Sequence, residues 1–165
     1  MTTLVLVLIV ITVIYVLRRQ SVKKPSPLGI DGEVIYADKG RNSHRFVNHK
    51  YGISAKPDFI IRTANAENVM VEYKSRMNRI YLSDIVQLKA SVLAARAHMP
   101  IHRAVIVTKG DRQNITLGSD AQLYSEIAQY VELARRAQGG EIIKIFAAHK
   151  GICRSCSVAH SCQRR

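Results

Sequence analysis

Tryptophan is absent, and aromatic residues make up only 6% of this 165-residue chain. That scarcity excludes an extensive base-stacking platform, which needs successive exposed rings. Cysteine is scarce too, and three thiols cannot form a closed set of internal disulfides. Acidic residues are outnumbered: 12 against 25 Lys and Arg, for a net charge of +13. An excess of that sign points to a polyanionic partner, either nucleic acid or anionic lipid. Disorder is excluded, because 47% hydrophobic against 22% charged residues can furnish a core at this length. The length suits one domain, or one domain with an appendage.

The chain opens on an uncharged run. Thr2 to Leu17 contain no charge, proline or glycine, and Leu4 to Leu17 read LVLVLIVITVIYVL. As a helix the run spans roughly 25 Å, against a hydrocarbon core of ~30 Å. A buried N-terminal helix is the competing reading. A secretory signal carries its positive charge before the apolar run. Here Arg18, Arg19, Lys23 and Lys24 come after it. The order predicts a single-pass transmembrane anchor over residues 1–17, with the N-terminus outside and everything after it cytoplasmic. Residues 18–32 read as a basic Pro/Gly linker whose first half lies among anionic headgroups.

Residues 33–148 alternate between strand and helix signals. Strands are expected at EVIYAD (Glu33 to Asp38), PDFIIR (Pro57 to Arg62), NVMVEYK (Asn68 to Lys74), HRAVIVTK (His102 to Lys109) and QNITL (Gln113 to Leu117). The stretch from Lys39 to Lys56 reads as a basic loop. Ser83 is the expected cap of a helix running to about His98, stopped by Pro100. Ser119 and Gln122 form a capping box for a second helix, which Gly139 and Gly140 end. Residues 149–165 are a cysteine-bearing tail.

Alternate residues of a strand share a face, so Glu72 and Lys74 project together, away from Val71 and Tyr73. A turn centred near Asn65 folds the preceding strand back and sets Asp58 opposite Glu72. Two carboxylates and an ammonium then converge at a sheet end. Such a trio suits phosphodiester hydrolysis. Two carboxylates with nearby carbonyls make a hard oxygen site for Mg²⁺ or Mn²⁺. The cation polarises a phosphoryl oxygen and acidifies water, and the lysine orients that water or offsets charge on the phosphorane. A surface hairpin with one Glu–Lys pair is the bland alternative. Strand signals on both sides and the basic balance favour the trio.

These segments resemble the PD-(D/E)XK nucleases of the RecB type, and most closely the CRISPR-associated RecB-like exonucleases, the Cas-four family. EVIYADKG, YGISAKPDFI, VEYKSR, the helix with Gln87 and a C-terminal cysteine cluster follow in that family's order, from about Glu33 to Cys162. The resemblance implies an α/β protein with a restriction-endonuclease-like mixed sheet flanked by helices, here preceded by the membrane helix. It assigns Asp58 and Glu72 to the metal, Lys74 to the attacking water and Gln87 to support of the site. Ser91 stands where the family's QxxxY motif has tyrosine. His44 and His49 are the only histidines upstream, and both read as loop residues rather than ligands.

Cys153, Cys156 and Cys162 have metal-binding spacing for a reducing compartment. The resemblance implies an iron–sulfur cluster there, commonly [4Fe–4S]. The family's fourth, upstream cysteine is missing, which leaves Cys₃His zinc with His149 or His160 as the competitor. The expected function is a Mg²⁺- or Mn²⁺-dependent, exonuclease-like deoxyribonuclease, DNA-binding and held at the cytoplasmic face of a membrane. The alternative is a degenerate nuclease fold that binds nucleic acid or a protein partner there.

Overall fold

The computed structural model describes residues 11–13 and 28–143. The expected anchor (apart from the exposed helical residues Ile11 to Val13), most of the linker and the whole cysteine tail lie outside the described residues. Among the described residues, no helix is long and apolar enough to cross a membrane. The chain divides into two compact units after Gln129.

The first unit is mixed α/β. Strands β1 (Glu33–Ala37), β4 (Phe59–Arg62), β5 (Asn68–Lys74), β6 (Arg103–Thr108) and β7 (Arg112–Ile115) form one sheet in the order β1-β4-β5-β6-β7. The β1–β4, β4–β5 and β6–β7 pairs are antiparallel, and β5–β6 is parallel. A parallel neighbour needs a crossover. Helix α1 (Leu82–Arg96) supplies it. Strands β2 (Phe46–Asn48) and β3 (Ile53–Ala55) pair as a separate hairpin against α1.

The hairpin lies in the stretch that the sequence marks as loop. Each strand has only three residues, too few for alternation to register, and Gly52 (φ 59°) closes the turn in a left-handed conformation. Asn48 Nδ2 donates to the Leu93 carbonyl at 2.8 Å and fixes the hairpin to the helix.

The central strands are apolar because both faces of the sheet are covered. One face packs Ile61, Val69, Val71, Val105 and Val107 under Leu28 and Ile30. Alternation puts Ile60, Met70, Ala104 and Ile106 on the other, where α1 packs against β5 and β6 with Leu88, Val92 and Ala95 buried. Each fully buried Ile, Leu or Val contributes about 1.5–3 kcal/mol relative to exposure. The charged end of β5 is held in place by this apolar bed.

Helix α2 (Asp120–Gln138) begins in the first unit and continues into the second. Ser119 N donates to Gln122 Oε1 (2.8 Å) and Gln122 N to Ser119 Oγ (3.3 Å), the expected capping box. Leu123 and Ile127 are buried. Within the second unit the helix ends before Gly139 and Gly140 (φ 86°), and Arg136 pairs with Glu141.

Candidate active site

The β4–β5 turn determines what meets what. Thr63 N donates to the Glu67 carbonyl (2.9 Å) and Ala66 N to the Thr63 carbonyl (3.0 Å), closing the turn around Asn65. The register runs Phe59↔Val71, Ile60↔Met70, Ile61↔Val69. One step further places Asp58 opposite Glu72. Asp58 Oδ2 accepts the Tyr73 amide at 2.8 Å.

Glu72 is 1% exposed. Its Oε1 accepts Lys74 Nζ at 2.7 Å. Its Oε2 is the buried side-chain polar atom left without a hydrogen bond among the described residues. A buried carboxylate oxygen without a donor is costly, because nothing replaces its hydration. Burial accordingly raises the Glu72 pKa above its ordinary 4.5. The Lys74 hydrogen bond works against this, while the negative charges of Asp58 and Asp84 add to it.

Lys74 Nζ also donates to Gln87 Oε1 at 2.9 Å. Strand and helix thus bring Asp58, Glu72, Lys74 and Gln87 together as the sequence reading expects. Asp84 joins them: its Oδ1 lies 3.8 Å from Lys74 Nζ, and its Oδ2 pairs with Arg76 and accepts the Tyr81 amide at 2.8 Å. Burial raises the Asp84 pKa, but Arg76 and the Tyr81 amide outweigh it and the net shift is downward. The helix therefore starts after Tyr81, with Asp84 as the residue that caps its first turn. Ser83 is instead an exposed helical residue. Asp84 is the site residue that sequence reasoning missed. Its signal is present, since Asp84 and Gln87 are three apart and share a helix face. Asp84 acts from the third helical position, reaching back to the Tyr81 amide, and not as the N-cap itself.

A second carboxylate stands beside Asp58. Asp38 N donates to the Asp58 carbonyl at 2.9 Å, and Asp38 Oδ1 accepts the Gly40 amide at 2.9 Å. Hydrogen bonds from Ser43 and Gly40 hold the Asp38 pKa down. Tyr36, on the same face, has its pKa raised by burial and by the charges of Asp38 and Asp58.

Neither upstream histidine is among these groups. His44 lies in the loop before β2, its ring beside Phe46 and His98, and His49 is in the β2–β3 turn. His98 Nε2 meets the Val47 backbone at 3.0–3.2 Å, where it pins the hairpin to the end of α1. Ser91 is buried.

Among the described residues, no group of three or more His, Cys, Asp or Glu is arranged to hold a metal by itself. Mg²⁺ usually takes only one or two carboxylates and keeps several waters. Asp58 with the unpartnered Glu72 oxygen fits that donor requirement. Cys153, Cys156, Cys162, His149 and His160 lie outside the described residues. No protein-family model matches the chain, and a comparison with curated proteins gives no significant match.

Proposed function

We propose that the chain is a Mg²⁺- or Mn²⁺-dependent nuclease of the PD-(D/E)XK kind, hydrolysing phosphodiesters of DNA at the cytoplasmic face of a membrane. The observation that carries the reading is the buried, unpartnered Glu72 Oε2 next to Lys74, with Asp58 opposite. The mixed sheet with α1 packed on one face agrees with the restriction-endonuclease-like resemblance. The membrane location rests on the Thr2 to Leu17 run and the basic residues after it.

Asp58 and Glu72 would hold the divalent cation, which when bound polarises the phosphoryl oxygen and acidifies water. The protein's own part is positional. The Tyr73 amide orients Asp58. Glu72 and Gln87 each accept one hydrogen bond from Lys74. An ammonium has three donors, so one remains for a phosphate oxygen or the attacking water. Glu72 and Asp84 hold that ammonium in place, and Asp84 is itself anchored by Arg76 and the start of α1. The fixed positive charge then opposes the charge that grows on the phosphorane.

The test is cleavage of labelled DNA by the full chain with Mg²⁺, Mn²⁺ or EDTA, beside Lys74→Ala. Metal-dependent cleavage that Lys74→Ala loses by about 100-fold or more supports the reading. Cleavage unchanged in the variant would assign the activity to a contaminant. DNA binding without cleavage under any metal would leave the degenerate binding module.

A further inference from the structure

Apart from Val34, the large apolar side chains well exposed between residues 28 and 129 are Tyr73, Met77, Tyr81 and Leu82. All four flank Lys74 within ten positions of one another. Tyr73 projects from the opposite side of β5, whereas Met77, Tyr81 and Leu82 lie in the loop after Lys74 and at the start of α1. The segment from Ser75 to Tyr81, which carries Met77 and Tyr81, is well anchored. The Lys109 amide donates to the Arg76 carbonyl (3.0 Å) and the Gly110 amide to the Met77 carbonyl (2.8 Å), so the loop rests on the β6–β7 turn.

Within the loop, the Arg76 guanidinium lies 4.7 Å from the centre of the Tyr81 ring. That guanidinium is paired with Asp84, which also accepts the Tyr81 amide. The ring is thus backed by a fixed cation while 47% of the residue remains exposed. The side chains of Arg79 and Lys109 are exposed on the same loop and the turn beneath it. An ordered ring with nearby exposed cations, joined through Asp84 to Lys74, can take an aromatic base together with its phosphates.

We propose that Tyr81, held by Arg76, stacks on one unpaired base, and that the site therefore takes single-stranded nucleic acid. A base inside a duplex already has both faces stacked, so a lone ring recognises strands whose bases are splayed. Arg79 and Lys109 contact the backbone of that strand. The low aromatic content is no obstacle, since one ring suffices for one base. The assignment of substrate rests on the nuclease reading, whereas the stacking itself does not.

The test is fluorescence anisotropy with the full chain in EDTA, so that no cleavage is needed, using labelled oligothymidylate, oligouridylate and a blunt DNA hairpin. Tyr81→Ala is expected to weaken single-strand binding by about tenfold or more, to leave hairpin binding unchanged, and to be rescued by Tyr81→Phe. Arg79→Ala is expected to weaken all three probes and reduce the salt dependence of binding. The two oligonucleotides show whether DNA or RNA is preferred. Equal binding of oligothymidylate and oligouridylate by wild type and Tyr81→Ala overturns the proposal, as does binding that only anionic vesicles show and Tyr81→Ala loses. Tyr81-dependent binding without cleavage under any metal retains the platform and rejects the nuclease. Cleavage with Tyr81→Ala indistinguishable in binding does the reverse.

Discussion

Asp58 Oδ2 accepts the backbone amide of Tyr73 at 2.8 Å, the amide between Glu72 and Lys74. The carboxylate of one strand is thereby keyed to the strand that carries the other two members of the trio. A shift of β4 along β5 would break this bond and the register together.

Asp58→Ala and Glu72→Ala are expected to abolish metal-dependent cleavage while the chain stays folded, as circular dichroism would report. Gln87→Ala should be milder, about 10- to 100-fold, because its hydrogen bond is to Lys74 and not to the cation. A Gln87→Ala loss as complete as that of Glu72→Ala would place the glutamine on the substrate instead.

Glu72→Gln should stabilise the metal-free protein at neutral pH. The folded pKa of Glu72 is raised above its ordinary 4.5, so ionisation costs the folded state more than the unfolded one. Below about pH 4.5 the substitution brings no electrostatic gain. The gain appears as pH rises through the folded pKa and is constant above it. Thermal melts of both chains across that range read it directly, each kcal/mol appearing as about 2–4 °C. A difference in Tm that does not change with pH would refute the desolvation argument. Saturating Mn²⁺ should reverse the order, since it stabilises only the wild type.

Asp84→Asn removes a buried charge that Arg76 and the Tyr81 amide hold, and should cost about 1–3 kcal/mol. The folded pKa of Asp84 is below its ordinary 3.8. Its contribution is therefore complete above that value and lost as pH falls through the folded pKa. The wild-type advantage should shrink in strong acid, and urea melts at two pH values would show it. A neutral effect at pH 7 would mean that the Arg76 pair adds nothing to the start of the helix.

The thiolates of Cys153, Cys156 and Cys162 favour an iron–sulfur cluster or zinc over hard cations. Anaerobically purified protein should be brown and bleach in air, and Cys156→Ser should be colourless. Colourless protein with one equivalent of bound zinc would transfer the tail to a Cys₃His site. Metal-free protein with three freely alkylated thiols would remove both.

The trio was legible in the sequence because Glu72 and Lys74 stand two apart at the charged end of an otherwise apolar β5, and because the turn around Asn65 fixes the fold-back, so Asp58 and Glu72 follow by counting. Asp84 was not legible, because Ser83 is as good a cap by residue type and only the geometry shows the Asp84 carboxylate reaching back from the third helical position to the Tyr81 amide. The β2–β3 hairpin was hidden in a basic stretch, where Phe46 and Ile53 are buried by contact with α1 and not by any pattern of their own. The Tyr81 rim was illegible for a similar reason, since neither its anchoring by Arg76 nor its exposure can be read from spacing. Ser91, which stands where the QxxxY motif has tyrosine, is a core residue. A tyrosine at that position would have to displace packed neighbours, at about 1–3 kcal/mol.

The strand carrying Glu72 and Lys74 is hydrogen-bonded along both edges, to β4 and β6, with the parallel ladder continuing through Lys74↔Thr108. Its amides should exchange with solvent only in the largest opening events of the sheet, while those from Ser75 to Arg79 exchange through local excursions. In the proposed nuclease, chemistry and capture would fall in different layers of stability. A loop that opens locally could admit or release a strand end while the carboxylates beneath it keep their spacing.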